Sequence, residues 1–129
     1  MKSTKIVPEP GSGLDPKHMA EGYKADHGKA PYHLIAPEAL HGMAMVLDYG
    51  QHKYAARNWE MGMAWSRPFA ALMRHMWAWW RGERIDPESG MPHLWHAIFG
   101  IMALIAFEER QIGTDDRHIP ARAPHAPDA

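Results

Sequence analysis

The chain has 129 residues, of which 46% are hydrophobic, and this is enough for one domain with a core of its own. Its formal net charge is −1 when its ten histidines are counted as neutral, so no basic excess predicts a nucleic-acid partner. It contains no cysteine, which excludes disulfides and zinc–thiolate sites.

Nothing in the sequence indicates export or membrane insertion. Residues 1–5 are not followed by an apolar signal core. The most apolar stretch, residues 94–107, is interrupted by His96 and is too short to span a bilayer. We therefore expect a soluble, cytoplasmic protein without a membrane partner.

Glycine and proline are concentrated at the two ends of the chain and in its loops. Residues 1–30 are rich in Gly, Pro, Lys and Asp and are predicted to form an extended arm. Residues 113–129 contain three prolines and are predicted to form a flexible tail. The domain is expected between them, over residues 31–112, and no run in it alternates as a strand would.

The first helix is predicted to begin near Pro37, because the N–H that proline lacks would be unpaired at a first helical position. It ends near Gly50 or continues to Arg57. Its apolar residues recur at spacings of three and four and are expected on one stripe: Leu40, Met43 and Leu47. The aromatic-rich segment 58–65 is predicted to be a loop that packs against the helices.

Two more helices follow. Ser66 is a candidate N-cap for the second helix, which ends at Gly82, and the third extends from Pro92 to about Arg110. Both are expected to be buried along apolar stripes: Phe69, Leu72, Met73, Met76 and Trp80 in the second, and Leu94, Ala97, Ile98, Ile101, Leu104 and Ile105 in the third. Three helices leave one apolar face poorly covered. We therefore expect an all-α fold, a small helical bundle completed by homo-oligomerisation.

Histidines and carboxylates are concentrated around the link between the second and third helices. His93 and His96 are three residues apart, so a helix presents both on one face, and His75 lies in the second helix. The link carries three carboxylates: Glu83, Asp86 and Glu88. Such a set can hold a divalent cation, because carboxylates suit magnesium and manganese, while imidazoles favour manganese, cobalt, nickel or zinc.

Simpler interpretations account for the same residues. In a chain with ten histidines, a His-x-x-His spacing also arises by chance, and His75 can be an ordinary core or surface residue. The acidic link has the composition of a solvated turn. Trp77, Trp79 and Trp80 can stack on a purine base or can anchor the core and a subunit interface.

An ordered series of motifs over residues 22–108 resembles a phage and prophage family. The motifs are Lys24-x-Asp26-x-Gly28-Lys29, Pro37-Glu38-Ala39-Leu40, Tyr49-Gly50-x-x-Lys53-Tyr54, Asn58-Trp59-x-x-Gly62, Arg74-His75, Gly82-Glu83-x-x-Asp86-x-Glu88-Ser89-Gly90 and His93-x-x-His96-Ala97. The family is the dATP/dGTP diphosphohydrolase N-terminal-type domain, related to MazG-like nucleotide pyrophosphohydrolases. The resemblance implies a MazG-like all-α fold, usually oligomeric. It also implies hydrolysis of a purine (deoxy)nucleoside triphosphate to monophosphate and pyrophosphate, with Mg²⁺ or Mn²⁺.

Residue roles follow as hypotheses from the resemblance and from the residue types. The candidate metal ligands are His75, Glu83, Asp86, His93 and His96. The candidate general bases are Glu38 and Glu88. The candidate nucleotide-binding residues, for the phosphates or the base, are Lys24, Lys29, Lys53, Asn58, Trp59 and Arg74.

The expected ligand set departs from the MazG pattern. MazG-type enzymes hold their ions with Glu-x-x-Glu on one helix and Glu-x-x-Asp on the next, whereas here the two helices offer Arg74-His75 and His93-x-x-His96. A set richer in histidine carries less negative charge and would hold magnesium less strongly, which keeps other divalent ions open. Two other functions fit these residues: a non-catalytic phage protein that sequesters nucleotides, and a structural helical oligomer.

Overall fold

The computed structural model describes residues 22–120, and contacts divide the chain after Ile35 into two units. In the first unit, the backbone turns at Gly28, which has a φ of 80°, and the N–H of Lys29 donates to the carbonyl of Asp26. A single 3₁₀ turn, Tyr32–Leu34, follows. Lys24 and Lys29 belong to this unit, and residues 1–21 of the predicted arm lie outside the described residues.

The second unit contains three α-helices: α1 (Pro37–Lys53), α2 (Ser66–Trp80) and α3 (His93–Arg110). A 3₁₀ helix, Asn58–Met61, lies in the loop between α1 and α2. Both α1 and α2 pack on α3, which is therefore the central helix. Residues 22–120 contain isolated bridges but no strand, so the predicted all-α fold is confirmed. None of the helices in this range combines the length and hydropathy needed to cross a membrane.

Helix α1 begins at Pro37, as predicted, but its buried side is not the predicted stripe. The buried residues are Gly42 and Val46, whereas Leu40 is 57% exposed. A Cβ on Gly42 would lie 2.5 Å from Cδ1 of Trp95. The absence of a side chain at Gly42 thus lets α1 lie directly against the indole of α3, and this contact decides which side of α1 faces inward.

The predicted N-cap of α2 is wrong. Ser66 is the first residue of the helix, and its N–H donates to Oδ1 of Asp116 at 2.9 Å. Its hydroxyl donates to the other oxygen of the same carboxylate. A residue fifty positions later therefore caps α2. The segment around Thr114, which begins the predicted tail, is bonded to the start of α2, and residues 121–129 lie outside the described residues.

The apolar core is centred on α3. Its buried apolar side chains are Val46, Leu72, Ala97, Ala103 and Phe107. A Cβ on Gly100 would lie 3.0 Å from Cβ of Leu72, so this glycine permits close packing of α2 on α3. The predicted stripes are only partly buried, because no other helix of the described unit covers the side of α3 that carries Ile101 and Ile105.

Candidate functional site

The link between α2 and α3 folds back on itself and brings its carboxylates to the start of α3. Gly82 ends the α2 segment with a φ of 101°, and Ile85 and Pro92 form an isolated bridge. The Asp86 carboxylate accepts bonds from the backbone N–H of Glu88 and from the hydroxyl of Ser89. This is the local bonding that an aspartate favours in a turn. The side chains of the link are thereby fixed beside the histidines of α3.

A cavity of about 400 Å³ lies where the end of α1, the helix α2, the link and the start of α3 meet. It is lined by Tyr49, Lys53, Arg74, His75, Ala78, Asp86, Glu88, His93 and His96. It thus collects all the predicted metal ligands except Glu83, together with one predicted base and two predicted phosphate-binding residues. We name it the histidine cavity.

A first hydrogen-bonded chain joins Glu83 to His75 through His93. The Oε1 atom of Glu83 lies 2.7 Å from Nε2 of His93, and Nδ1 of His93 lies 2.8 Å from Nδ1 of His75. His93 is the one polar side chain that is buried in residues 22–120, with 4% of its surface exposed. Both its ring nitrogens are hydrogen-bonded, as a buried imidazole requires.

A second chain joins Asp86 to His96 through Ser89. The Ser89 hydroxyl donates to Oδ2 of Asp86 at 3.0 Å, and its oxygen lies 2.7 Å from Nε2 of His96. The backbone N–H of Met91 donates to the same oxygen. Ser89 was not among the predicted site residues. Its position three residues after Asp86 in the turn is the signal that would have indicated it.

The two chains meet where the rings of His75 and His96 stack, with centroids 4.5 Å apart and planes 12° apart. Burial lowers the pKa of both histidines below its ordinary value, and for His75 the like charge of His96 lowers it further. Burial alone would raise the pKa of Asp86, but the bonds from Glu88 and Ser89 hold it below its usual range. At neutral pH the site therefore combines neutral His75 and His96 rings with an ionised Asp86.

The donor types of the histidine cavity are those that divalent ions accept, but their arrangement does not fit a resident ion. Six ring and carboxylate atoms of the five predicted ligands are already hydrogen-bonded within the two chains. Among residues 22–120, no three His, Asp or Glu side chains converge as a metal site requires. The metal role of the five predicted ligands stays a prediction.

Two of the four predicted nucleotide-binding cations, Lys53 and Arg74, lie at the wall of the histidine cavity. Nζ of Lys53 lies 3.6 Å from Oε1 of Glu88, and both side chains are largely exposed. Arg74 also lines the cavity and forms no ion pair within residues 22–120. An exposed ion pair contributes little to stability, so Lys53 can exchange Glu88 for a more highly charged anion.

A second cavity of about 540 Å³ adjoins the first and shares Tyr49 and Lys53 with it. Most of its lining is apolar, and it includes Asn58 and Trp59. The Trp59 ring packs against Phe99 and Phe107, and the Arg110 guanidinium lies 5.7 Å from its centre. Its lining therefore offers an aromatic ring and an amide beside the polar site. We name this the apolar cavity.

The structure does not bring every predicted residue together. Glu38 lies in the first turn of α1, at the opposite end of that helix from Lys53, and lines neither cavity. Lys24 and Lys29 lie in the first unit. Tyr49, which lines both cavities, was not predicted, although it lies one helical turn before Lys53 on α1.

The residues that form this site lie in a part of the chain that is similar to known proteins. The sequence pattern of the family described as dATP/dGTP diphosphohydrolase, N-terminal, matches residues 19–117. The chain belongs to this family. A dATP/dGTP diphosphohydrolase of Salmonella phage PMBT28 is 35% identical to it over 103 residues, which are 80% of this chain and 35% of the relative. The chain thus spans about a third of that relative's length. No solved structure matches.

Proposed function

We propose that this chain binds a purine (deoxy)nucleoside triphosphate across its two adjoining cavities and hydrolyses it to monophosphate and pyrophosphate. The observation that carries the proposal is the pair of residues, Tyr49 and Lys53, shared by a polar and an apolar cavity. A nucleotide has the same division, with a charged phosphate chain at one end and a flat base at the other. Membership of a diphosphohydrolase family supports the choice of ligand.

In this arrangement the phosphate chain lies in the histidine cavity. Lys53 and Arg74 supply positive charge from two different helices. Charge-assisted bonds to phosphate oxygens are stronger than bonds between neutral groups, so these two residues hold most of the anion. Glu88, which pairs with Lys53 at the rim, is displaced when a phosphate takes that ammonium.

The base lies in the apolar cavity. A partly buried indole offers a face or an edge to a purine, and the amide of Asn58 can both donate to and accept from the base. The Arg110 guanidinium lies over the Trp59 ring and helps to hold it in place. We therefore keep, as part of the proposal, the contact with the base that the sequence predicted for Asn58 and Trp59.

A triphosphate binds Mg²⁺ or Mn²⁺ through its own oxygens, and we propose that such an ion accompanies the nucleotide. When bound, the ion neutralises phosphate charge and polarises the phosphorus–oxygen bonds. Pyrophosphate release that needs added Mn²⁺ or Mg²⁺ and stops with a chelator supports this cofactor. Release that continues in excess chelator contradicts it.

Hydrolysis is tested by incubating the pure chain with dATP or dGTP and Mn²⁺ and measuring pyrophosphate. Lys53→Met removes one charged contact with phosphate, which is worth about 1.5–3 kcal/mol and so weakens nucleotide binding roughly 10- to 150-fold. Arg67→Met, at an exposed position that lines neither cavity, is the matched control. Absence of pyrophosphate from the wild-type chain overturns the hydrolytic part.

Nucleotide binding without hydrolysis is the second candidate. It is favoured by the family's description as an N-terminal domain and by the chain's coverage of only 35% of its phage relative, because the relative's activity belongs to a longer protein. Thermal stabilisation by dATP or dGTP without pyrophosphate supports this candidate. A purely structural helical oligomer would show neither effect.

A further inference from the structure

The hydrogen bonds of the first chain favour one tautomer for each of its two histidines. A carboxylate only accepts hydrogen bonds, so Nε2 of His93 carries the proton that it shares with Glu83. The hydrogen bond between the two Nδ1 atoms contains one proton, which we place on His75, so that Nδ1 of His93 accepts it. The remaining ring nitrogen of His75, Nε2, is therefore unprotonated.

The second chain ends in the same way. The Ser89 hydroxyl donates its only O–H to Asp86. Its oxygen therefore accepts the Nε2–H of His96. The Nδ1 atom of His96 is left unprotonated. Each of two stacked rings thus carries one free nitrogen lone pair, oriented by a carboxylate at the far end of its chain.

Both of these nitrogens are accessible and unbonded within residues 22–120. Neither Nε2 of His75 nor Nδ1 of His96 has a hydrogen-bond partner in residues 22–120. No buried side-chain nitrogen or oxygen in this range lacks a partner, so the two atoms are not buried. Both rings line the cavity in which the phosphate chain is proposed to lie.

We propose that His75 is the general base of the hydrolysis, and that Glu83 and His93 are positioning residues that hold it in the required tautomer. This rests on the proposed function. Nε2 of His75 takes a proton from a water molecule while the water oxygen forms its bond to the α-phosphorus. The bond from that phosphorus to the bridging oxygen breaks, and pyrophosphate leaves with the electron pair. The proton on Nε2 then passes to solvent.

The His75 chain suits this role better than the His96 chain. After His75 gains a proton, its positive charge can be shared with His93, which is already bonded to Glu83. Ser89, the hydrogen-bond partner of His96, cannot share such a charge, and Asp86 lies 3.6 Å from Nε2 of His96, beyond direct hydrogen bonding. The other ionisable groups facing His75 are His96, Asp86 and Arg74, and the stacked His96 is kept neutral because two like charges at this separation repel.

The carboxylates predicted as bases are less well placed. Glu88 is 76% exposed and paired with Lys53, and Glu38 lies outside both cavities. A general base must lie within hydrogen-bond reach of the attacking water. His75 lines the cavity that is proposed to hold the phosphates and is therefore placed to meet this requirement.

The first experiment tests the hydrogen-bonded chains without any nucleotide. Long-range ¹H–¹⁵N spectra of the ¹⁵N-labelled chain at neutral pH report which ring nitrogen of each histidine carries the proton. We expect Nδ1–H for His75, Nε2–H for His93 and Nε2–H for His96. A His75 ring protonated at Nε2 overturns the assignment of the base, whatever the chain does to nucleotides.

The second experiment measures turnover. His75→Asn, shown to be folded by circular dichroism, is expected to lower kcat by about 10²- to 10⁴-fold with little change in KM. Glu83→Gln still accepts the bond from His93 but stabilises a protonated His75 less. It should therefore lower kcat by a smaller factor and move the acidic limb of the pH–rate profile to lower pH.

Glu109→Gln, at the exposed end of α3, is the control and should leave kcat and the profile unchanged. An unshifted acidic limb in Glu83→Gln overturns the positioning role, and an undiminished kcat in His75→Asn overturns the base. If the wild-type chain does not hydrolyse nucleotides, the base role fails together with the proposed function. The tautomer spectra then still decide whether the hydrogen-bonded chains exist.

Discussion

The two sides of the α2–α3 pair differ in whether one polypeptide can satisfy their side chains by itself. On the polar side, the three histidines form hydrogen bonds with other residues of the same polypeptide: His75, His93 and His96. On the other side lies what we name the apolar face, which residues 116–118 border but which no other helix of the described unit covers. Its most exposed members are Phe69, Trp77, Trp80, Ile101 and Ile105, with Trp80 at 72% and Ile105 at 58%.

The difference shows which interactions one chain can complete alone. A buried polar atom needs one correctly placed partner, and a short turn such as 83–91 can supply it. Apolar side chains need area instead. At about 200 Å² for each aromatic side chain, the three aromatics of the apolar face leave roughly 350 Å² exposed, already in the range of the largest patch on a typical monomer. We therefore expect a second copy of the chain to cover this face, which is the homo-oligomer predicted from sequence.

The largest effect is expected from placing a charge on the apolar face. Ile105→Lys replaces an apolar contact worth about 1.5–3 kcal/mol, and in a symmetric pair the change counts twice. The dissociation constant should therefore rise at least about 100-fold. Light scattering coupled to size exclusion measures the mass of each variant over a range of concentrations.

Leu40→Lys is the matched control, because Leu40 is equally exposed but lies at the start of α1. It should leave the mass unchanged. A wild-type chain that stays monomeric at every concentration contradicts the expectation. Equal dissociation of both variants would show that the interface does not lie on the α2–α3 side.

A smaller effect is expected on the polar side. His93→Leu keeps a similar volume but leaves the Nδ1–H of His75 without its acceptor and removes the bond to Glu83. Loss of a partner for a buried polar group costs about 1–3 kcal/mol of unfolding free energy, measured by urea titration. His52→Leu makes the same chemical change at an exposed position and should cost far less. Equal costs would show that the chain through His93 does not stabilise the fold.

The same comparison explains what could be predicted from the sequence. Helix boundaries follow from local signals, so Pro37 and Gly82 marked the ends of α1 and α2 within a few residues. The grouping of His75 with His93 and His96 followed from residue type and helical spacing. Both predictions depend on neighbours in sequence.

The errors concern partners that are far apart in sequence. Asp116 caps α2 from fifty residues away, and no local pattern indicates this. Gly42 turns α1 toward Trp95 although Leu40 is more hydrophobic, because a close approach between helices needs a small residue and a matching ring. Ser89 resembled an ordinary turn residue until the fold placed His96 beside it. Periodicity identifies an apolar stripe, but only the packed structure decides whether that stripe is core or interface.

The smallest expected effect is a dependence of stability on pH that originates on the polar side. Burial lowers the pKa of His75 and His96 in the folded chain, whereas the unfolded chain takes up these protons near the ordinary value of about 6.5. Below that pH the unfolded state binds more protons, so stability is complete above it and declines as the pH falls toward the folded pKa. Urea midpoints measured between about pH 7.5 and pH 5 should fall accordingly.

The double substitution of His75→Asn and His96→Asn should flatten this decline, because neither asparagine titrates. Glu109→Gln should keep it, since Glu109 is exposed and lies at the far end of α3 from the cavity. Acidic groups such as Asp116, whose pKa is lowered by its bonds to Ser66, change the stability only at lower pH. They therefore do not account for a decline between about pH 7.5 and pH 5. An equal decline in the double variant would place its origin elsewhere. The stacked rings would then be as free to take protons as in the unfolded chain, and the polar side would not be closed by its own hydrogen bonds.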